Sequence, residues 1–267
     1  MRAAREGGFV MVAVAVTVAM IAAALVTGWA TLASVAQGNE LERAQRAWLD
    51  EAGALLQAWY RRELARVDAD DALPGGEALA RAAGVSLRWG ARLAVSERLA
   101  REGVRYRVLV VWLPQAGETP VFSAATGEFA PGPRTQWLRV SGFELQAAAL
   151  GQTRTQLAQV AAALEAAARA RFLADASRDA GVNRFRASDC TRVAAGEWPC
   201  VDDYAALEAT PIAALAGIEP RLARNAWGAP VEVSTLRDAS DRAPHTAALR
   251  TATPWGSVVS AVAVATW

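Results

Sequence analysis

Residues Phe9 to Val26 (FVMVAVAVTVAMIAAALV) limit this chain more than any other stretch. They form a run of eighteen residues without a charge, starting eight residues in. A helix needs about 20 predominantly apolar residues to cross ~30 Å of hydrocarbon. The run therefore points to lipid as its solvent, and that fixes where the rest of the chain works.

Two readings of the run are plain. A cleaved secretory signal peptide has an apolar region of about 7–15 residues, shorter than this one, although Ser34 and Ala36 would suit a small-x-small cleavage site. A single-span anchor is the other. Both imply the same orientation. Arg2 and Arg5 are the only cations before the span, and the positive-inside bias keeps such a head cytoplasmic. The residues after about Thr27 are then exported, and the first of them (TGWATLASVAQGN) carry no charge until Glu40.

The exported part, about 240 residues, suffices for one large or two small domains. Charge is nearly balanced, 28 basic against 27 acidic, and every basic residue is Arg. A net charge of +1 without a basic run gives no electrostatic footprint for nucleic acid. Cys190 and Cys200 are the only cysteines. In an oxidising compartment two thiols this close read as one loop-closing disulfide, worth roughly 2–3 kcal/mol by chain entropy. Zinc is not expected, because His245 is the only histidine and no Cys-x-x-Cys occurs.

Past the span, Leu41, Trp48, Ala52, Leu55 and Trp59 recur at helical spacing, with Leu56, Tyr60, Leu64 and Val67 beside them. Charged residues from Glu40 to Arg62 occupy the other faces, the pattern of a packed amphipathic helix. No Pro occurs between Phe9 and Leu73. One helix from Phe9 to about Val67 would be ~90 Å long, with Gly28 and Gly38 as points where it bends or breaks. The stretch Asp68 to Gly76 (DADDALPGG) is a stop. Strand candidates follow at Val85–Val95, Val104–Leu113, Pro120–Ala124 and Gln136–Val140. In Val104–Leu113, the residues Val104, Tyr106, Val108, Val110 and Trp112 share one face. Ser141-Gly-Phe-Glu144 matches a capping box opening an Ala-rich helix to about Ala180. The disulfide loop comes next, then strands at Val231–Leu236, Thr246–Thr251 and Ser257–Thr266. The last strand is small and apolar, fit to be buried or to serve as a swap partner for an edge.

The expected fold is α+β: a long N-terminal membrane-spanning helix running into an amphipathic helix packed on an antiparallel sheet, followed by a second helix-plus-sheet unit. The expected segments are a leader-like basic head (1–8), a transmembrane helix (9–27), the amphipathic helix with a first small sheet (28–140), and the second helix with the disulfide loop and C-terminal strands (141–267). A single larger sheet crossed by the second helix is the alternative.

With Gly8-Phe9 as a junction after a short basic head, and an apolar helix leading into an amphipathic one and then a sheet, the chain resembles the type IV pilins and pseudopilins. In that family a prepilin peptidase cuts after the glycine, and the new amino terminus is methylated. The resemblance places the cut between Gly8 and Phe9. Arg224–Pro230 (RNAWGAP) is similar to a Trp-Gly turn near the end of many pseudopilin heads, and Glu197–Cys200 (EWPC) to a Pro-Cys element of some large minor pilins. The family usually carries a Glu five residues into the mature chain; here Ala13 stands there, and Glu6 before the glycines is also unusual. The departure suits a tip or priming role. The resemblance implies a non-catalytic filament component of the inner membrane with a periplasmic or extracellular head. Its partners would be other pilin-like subunits and the assembly machinery. A single-span, membrane-anchored periplasmic binding or scaffold protein is the competing expectation.

Catalytic signatures are missing. No Gly-x-Ser-x-Gly or phosphate-cradling loop is present. His245 sits in DRAPHT, which reads as a solvated turn. The pair Asp202-Asp203 and the group Asp68, Asp70 and Asp71 read as solvated helix ends rather than cation ligands. No catalytic, metal-binding or cofactor-binding residue is expected. The ten Trp residues read as core, with a surface patch as the alternative.

Overall fold

The computed structural model describes residues 3–69, 73–193 and 197–267, with side chains described outside 3–15 and 31–34. The first helix, α1, spans Ala3–Arg62. Ala, Leu, Met, Glu, Gln and Arg favour helix, and no proline interrupts them. Gly28 and Gly38 do not break it. Each costs about 1 kcal/mol relative to Ala, which a helix of this length absorbs. The helix ends at Arg62, short of the expected Val67; a turn at Glu63 separates it from α2, Leu64–Val67.

The chain divides into two compact units, Met1–Ala52 and Gly53–Trp267. The apolar stripe of α1 is the expected one in most of its residues. Trp48, Ala52, Leu56, Trp59 and Tyr60 are buried, with Leu49 beside them, whereas Leu41 and Leu55 are exposed. Burial follows i, i+4 and i, i+3 steps from Trp48 and Leu49.

In the second unit, α3 (Gly76–Ala82) precedes seven strands: β1 Arg92–Val95, β2 Leu99–Arg101, β3 Val104–Tyr106, β4 Val108–Leu113, β5 Val121–Phe122, β6 Phe129–Ala130 and β7 Gln136–Ser141. β1, β4 and β7 form an antiparallel sheet in the order β1-β4-β7, while β2-β3 and β5-β6 are separate two-stranded pairs. Every residue of the central β4 is buried. Val108, Val110 and Trp112 share one face, covered by Ala94, Leu99, Tyr106, Phe122 and Phe129. The opposite side receives the end of α1: a Cβ on Gly53 would meet Leu138 of β7 at 2.7 Å.

Several expected strands are shorter than their patterns: Pro120–Ala124 is reduced to Val121–Phe122 and Val231–Leu236 to Glu232–Ser234. Only Arg92–Val95 of Val85–Val95 pairs, because Trp89 (φ 50°) and Gly90 (φ 71°) turn the chain before it. Val104–Leu113 is split between β3 and β4 at Arg107. There the backbone N–H donates to Tyr60 Oη at 3.0 Å instead of to a neighbouring strand.

α4, Phe143–Ala174, follows. The expected capping box does not form. Ser141 is the last residue of β7, its Oγ accepts from Phe143 N at 3.3 Å, and Gly142 is the N-cap. The helix stops at Ala174, six residues before Ala180, where Arg171 O accepts the Asp175 N–H. Beyond it lie β8 Ala205–Ala206, α5 Ile212–Leu215, β9 Glu232–Ser234, β10 His245–Ala252 and β11 Val258–Ala265. These strands form an antiparallel sheet in the order β11-β10-β9-β8. Leu157, Val160, Leu164 and Ala168 of α4 pack with Phe185, Leu207, Ile212, Val233, Leu249 and Ala263 into its core. The architecture is mixed helix and antiparallel sheet, α+β, with a long N-terminal apolar helix.

Gly142 tests how tightly α1 closes on this unit. A Cβ there would sit 1.9 Å from Tyr60 Oη. Gly142→Ala is expected to destabilise the full chain by about 3 kcal/mol through overpacking, read as a fall in the denaturant midpoint in detergent. Gly151→Ala, on an exposed part of α4 with nothing within 4 Å, is expected to stabilise by about 0.5–1 kcal/mol. Equal effects of the two substitutions would contradict the packing described.

Candidate functional site

Two features of the chain have the build of functional parts: the apolar surface of α1 and a buried polar node in the second unit. From Val16 to Val26 the described residues of α1 are all exposed, among them Val18, Met20, Ile21 and Leu25. Trp29 is 75% exposed and Val35 61%. α1 is long and apolar enough to cross a membrane, near the amino terminus. An indole at the end of such a run suits the interface between hydrocarbon and water. Gly8 and Phe9 lie within α1 by backbone, and their side chains, like that of Ala13, are outside the described residues. Arg2 is outside them altogether.

The node centres on Asp68, which is fully buried. Its Oδ2 accepts from Tyr60 Oη at 2.7 Å and from Gln146 Nε2. Tyr60 Oη in turn accepts the Arg107 N–H. Gln146, on α4, also donates to Leu64 O at 2.9 Å, satisfying the carbonyl of the first residue of the short α2. Its Oε1 accepts from Trp227 Nε1 at 2.7 Å. Arg107 Nε donates to Val67 O and Nη1 to Ser96 O, both at 3.0 Å. Burial raises the Asp68 carboxyl to about 6, against the lowering influence of the Tyr60 and Gln146 hydrogen bonds and of Arg107 and Arg98. Burial and the neighbouring Asp68 charge also raise the Tyr60 phenol. Of these side chains only Tyr60, Asp68 and Trp227 stand out in the sequence, as a stripe residue, a stop signal and part of the Trp-Gly turn.

The Trp-Gly turn is a built element. Asn225 Oδ1 accepts from Trp227 N and Ala229 N, and its Nδ2 donates to Thr251 Oγ1 at 2.9 Å and Ala252 O at 2.8 Å. Gly228 has φ 84°, which glycine adopts without strain. Cys190 and Cys200 form a disulfide, as their spacing implies. Trp198, within that loop, is buried and lies 5.3 Å from the Arg171 guanidinium; Gly196 is outside the described residues.

His245 differs from the expectation of a solvated turn. It opens β10, is fully buried, and its Nε2 lies 3.1 Å from Ala180 O. The alternation of β10 turns its ring inward, which a reading of the turn residues before it does not capture. The acidic groups are not gathered. Asp68 faces the node, Asp203 pairs with Arg237 at 2.9 Å, and Asp70 and Asp71 lie outside the described residues. Among the described residues no three His, Cys, Asp or Glu side chains are grouped to hold a metal ion. The tryptophans divide: Trp48, Trp59, Trp112 and Trp198 are buried, whereas Trp29, Trp89 and Trp137 are exposed.

The node makes stability depend on pH. The folded-state value of Asp68 lies above its unfolded value of 3.8, so its contribution is complete below about pH 4 and fades as pH rises through about 6. The total is about 3 kcal/mol at 1.36 kcal/mol per pKa step. Asp68→Asn keeps an acceptor for Tyr60 and Gln146 and removes the charge. It is expected to flatten this part of the melting-temperature profile between pH 4 and 8. A wild-type slope persisting in D68N would exclude Asp68 as its source. Asp68→Ala, which strands both donors, is expected to cost about 2–3 kcal/mol at pH 5.

Compared with known proteins, the chain matches no family model, no curated protein and no solved structure.

Proposed function

We propose that the chain is a non-catalytic subunit of a type IV pilus-like or type II secretion-like filament, a minor pilin or pseudopilin. It is assembled through α1 and presents the α+β unit as its head. The supporting observation is the length of uncharged helix. Phe9 to Asn39 contains no charged residue. At 1.5 Å per residue these residues reach ~46 Å, well beyond the ~30 Å hydrocarbon core. Trp29 and Val35, past the apolar run, are exposed on this helix. A lone anchor would leave that excess facing water or headgroups. Sister helices packed side by side would cover it, and small residues such as Ala30, Ala33 and Ala36 permit close approach.

In this reading a prepilin peptidase removes residues 1–8, the head lies on the periplasmic or extracellular side, and the inner-membrane assembly machinery extracts the subunit. Ala13 in place of the usual Glu favours a tip or priming position, since the pairing that Glu makes with a neighbouring amino terminus is lost. The competing reading is a single-span periplasmic binding or scaffold protein that keeps its head residues; Ala13 and Glu6 favour it.

Peptide mapping of the full chain from membranes of its native host separates the two. The expected product begins at N-methylated Phe9. An intact start at Met1 or Arg2 would assign the chain to the single-span class, and a start near Gln37 to soluble secreted proteins; either would refute the filament reading.

A further inference from the structure

β11 is the last strand of its sheet and pairs with β10 on one side only. Which of its backbone groups face outward follows from the ladder. Thr253 N donates to Ser257 O at 2.8 Å, and the register continues through Thr251↔Val259 and Leu249↔Ala261. The odd-numbered residues therefore bond to β10. By the two-residue alternation of an antiparallel pair, Val258, Ser260, Val262 and Val264 point their N–H and C=O groups away from it. Val264 N confirms the parity, donating to Glu165 Oε1 of α4 at 2.8 Å. The outward groups of Val258, Ser260 and Val262 have no hydrogen bond among the described residues.

An open edge of this kind is a template for another strand, and proteins usually blunt it with shortness, charge or proline. The other edges here follow that rule. β8 has two residues, β1 has four and carries Arg92, and β7 carries Arg139. β11 has eight residues (VVSAVAVA) with no charge, Pro or Gly. Its outer side chains Val258 and Val262 are 61% and 47% exposed. Arg250, opposite Ser260, brings no free charge to the edge. It is bonded to Glu232 at 2.6 Å and lies 3.8 Å from the Tyr204 ring.

We propose that β11 is a self-pairing edge: two copies of this chain join β11 to β11, antiparallel, about a two-fold axis at Ser260. In that register Ser260 faces Ser260 of the second copy, and Val258 faces Val262. The outward groups of all three residues then find partners, about six hydrogen bonds in all, and the valines meet across the exposed face. A shift by one residue sets outward groups against inward ones. A shift by two toward Val264 collides with Glu165, which already holds that N–H. The occupant is a second copy because the edge is complementary to itself: uncharged, with valine two residues either side of the axis, as an isologous contact requires. The joined sheets would have eight strands in place of four.

Site-directed cross-linking of the full chain in detergent tests this. The native cysteines are already paired and no other free cysteine is present, so Ser260→Cys introduces a single reactive thiol. Directly opposed residues of a hydrogen-bonded antiparallel pair have Cα atoms about 5.5 Å apart, within disulfide reach of about 4.4–6.8 Å. S260C is expected to form a homodimer on mild oxidation in at least tenfold greater yield than Ala125→Cys on an exposed turn. Adding Val258→Lys and Val262→Lys, which oppose like charges across the axis, is expected to cut that yield at least tenfold. Both lysines fall on exposed positions, so the head should still melt cooperatively. Should the lysine variant not fold, the comparison of S260C with A125C decides alone. S260C dimers no more abundant than those of A125C, a yield unmoved by the lysines in a folded protein, or a disulfide to a different protein would each overturn the proposal. The amino-terminal mapping of Phe9 reads the filament assignment separately, since the β11 contact does not depend on leader processing.

Discussion

The hydrogen bonds on Asp68 Oδ2 hold the head together. Tyr60 reaches this oxygen from the end of α1 and Gln146 reaches it from α4, and α4 packs its other side on the second sheet. Arg107 N joins from the break between β3 and β4, and Trp227 joins through Gln146. Four chain segments, far apart in sequence, thus meet around the Asp68 carboxyl. A buried, unpaired carboxylate would be costly. Here burial favours the protonated acid and two donors favour the anion, and the balance leaves the group near 6. The node also explains Gly142. The phenol must lie against the backbone where β7 turns into α4, and no side chain fits there.

Much of the secondary structure was legible because it is written in local periodicity. The Val108, Val110 and Trp112 face is as the pattern implies. So are β7, β10 and β11, to within two residues. The misses share a cause. Arg107 breaks a good strand pattern because its N–H is claimed by Tyr60, 47 residues earlier. Ser141 fails as a cap because β7 extends through it. His245 is inside because β10 begins one residue before the expected start. β2, β6 and β8 were not foreseen, and at two or three residues each they are too short for alternation to show. The node itself had no local signal: Gln146 reads as a polar helix residue, and its role exists only once Leu64, Asp68 and Trp227 surround it.

The two apolar surfaces of this chain call for different covers. The surface of α1 is continuous and uncharged over the described residues from Val16 to Val26. It carries no unsatisfied backbone, because a helix pairs its own groups, so lipid or another helix covers it equally well. The outer edge of β11 is the reverse. Its apolar area is small, but it carries backbone donors and acceptors that lipid cannot satisfy. Only water or another strand can. Lipid or a helix that covers α1 therefore supplies nothing that the β11 edge needs, and the two surfaces call for separate partners.

Arginine as the only basic residue has a structural consequence in the loop-rich parts of the head. Besides the arginines that pair with carboxylates, several guanidinium groups cap backbone carbonyls. Arg107 serves Val67 and Ser96, Arg98 serves Asp68 and Ala69, and Arg171 serves Arg184 and Arg186. A planar fork with five donors can hold two carbonyls of different segments at once, where a lysine offers a single flexible point charge. The Arg171 case matters most. Its side chain leaves α4, takes two carbonyls of the loop before Cys190, and lies over the Trp198 ring inside the disulfide loop. Burial and the nearby Arg184 charge lower its proton affinity, but a guanidinium stays charged under any folding condition, so the capping is insensitive to pH. The disulfide limits how far the 190–200 loop can open. Arg171 fixes where the loop sits on α4, and the two constraints together position a segment whose described residues form no regular strand or helix.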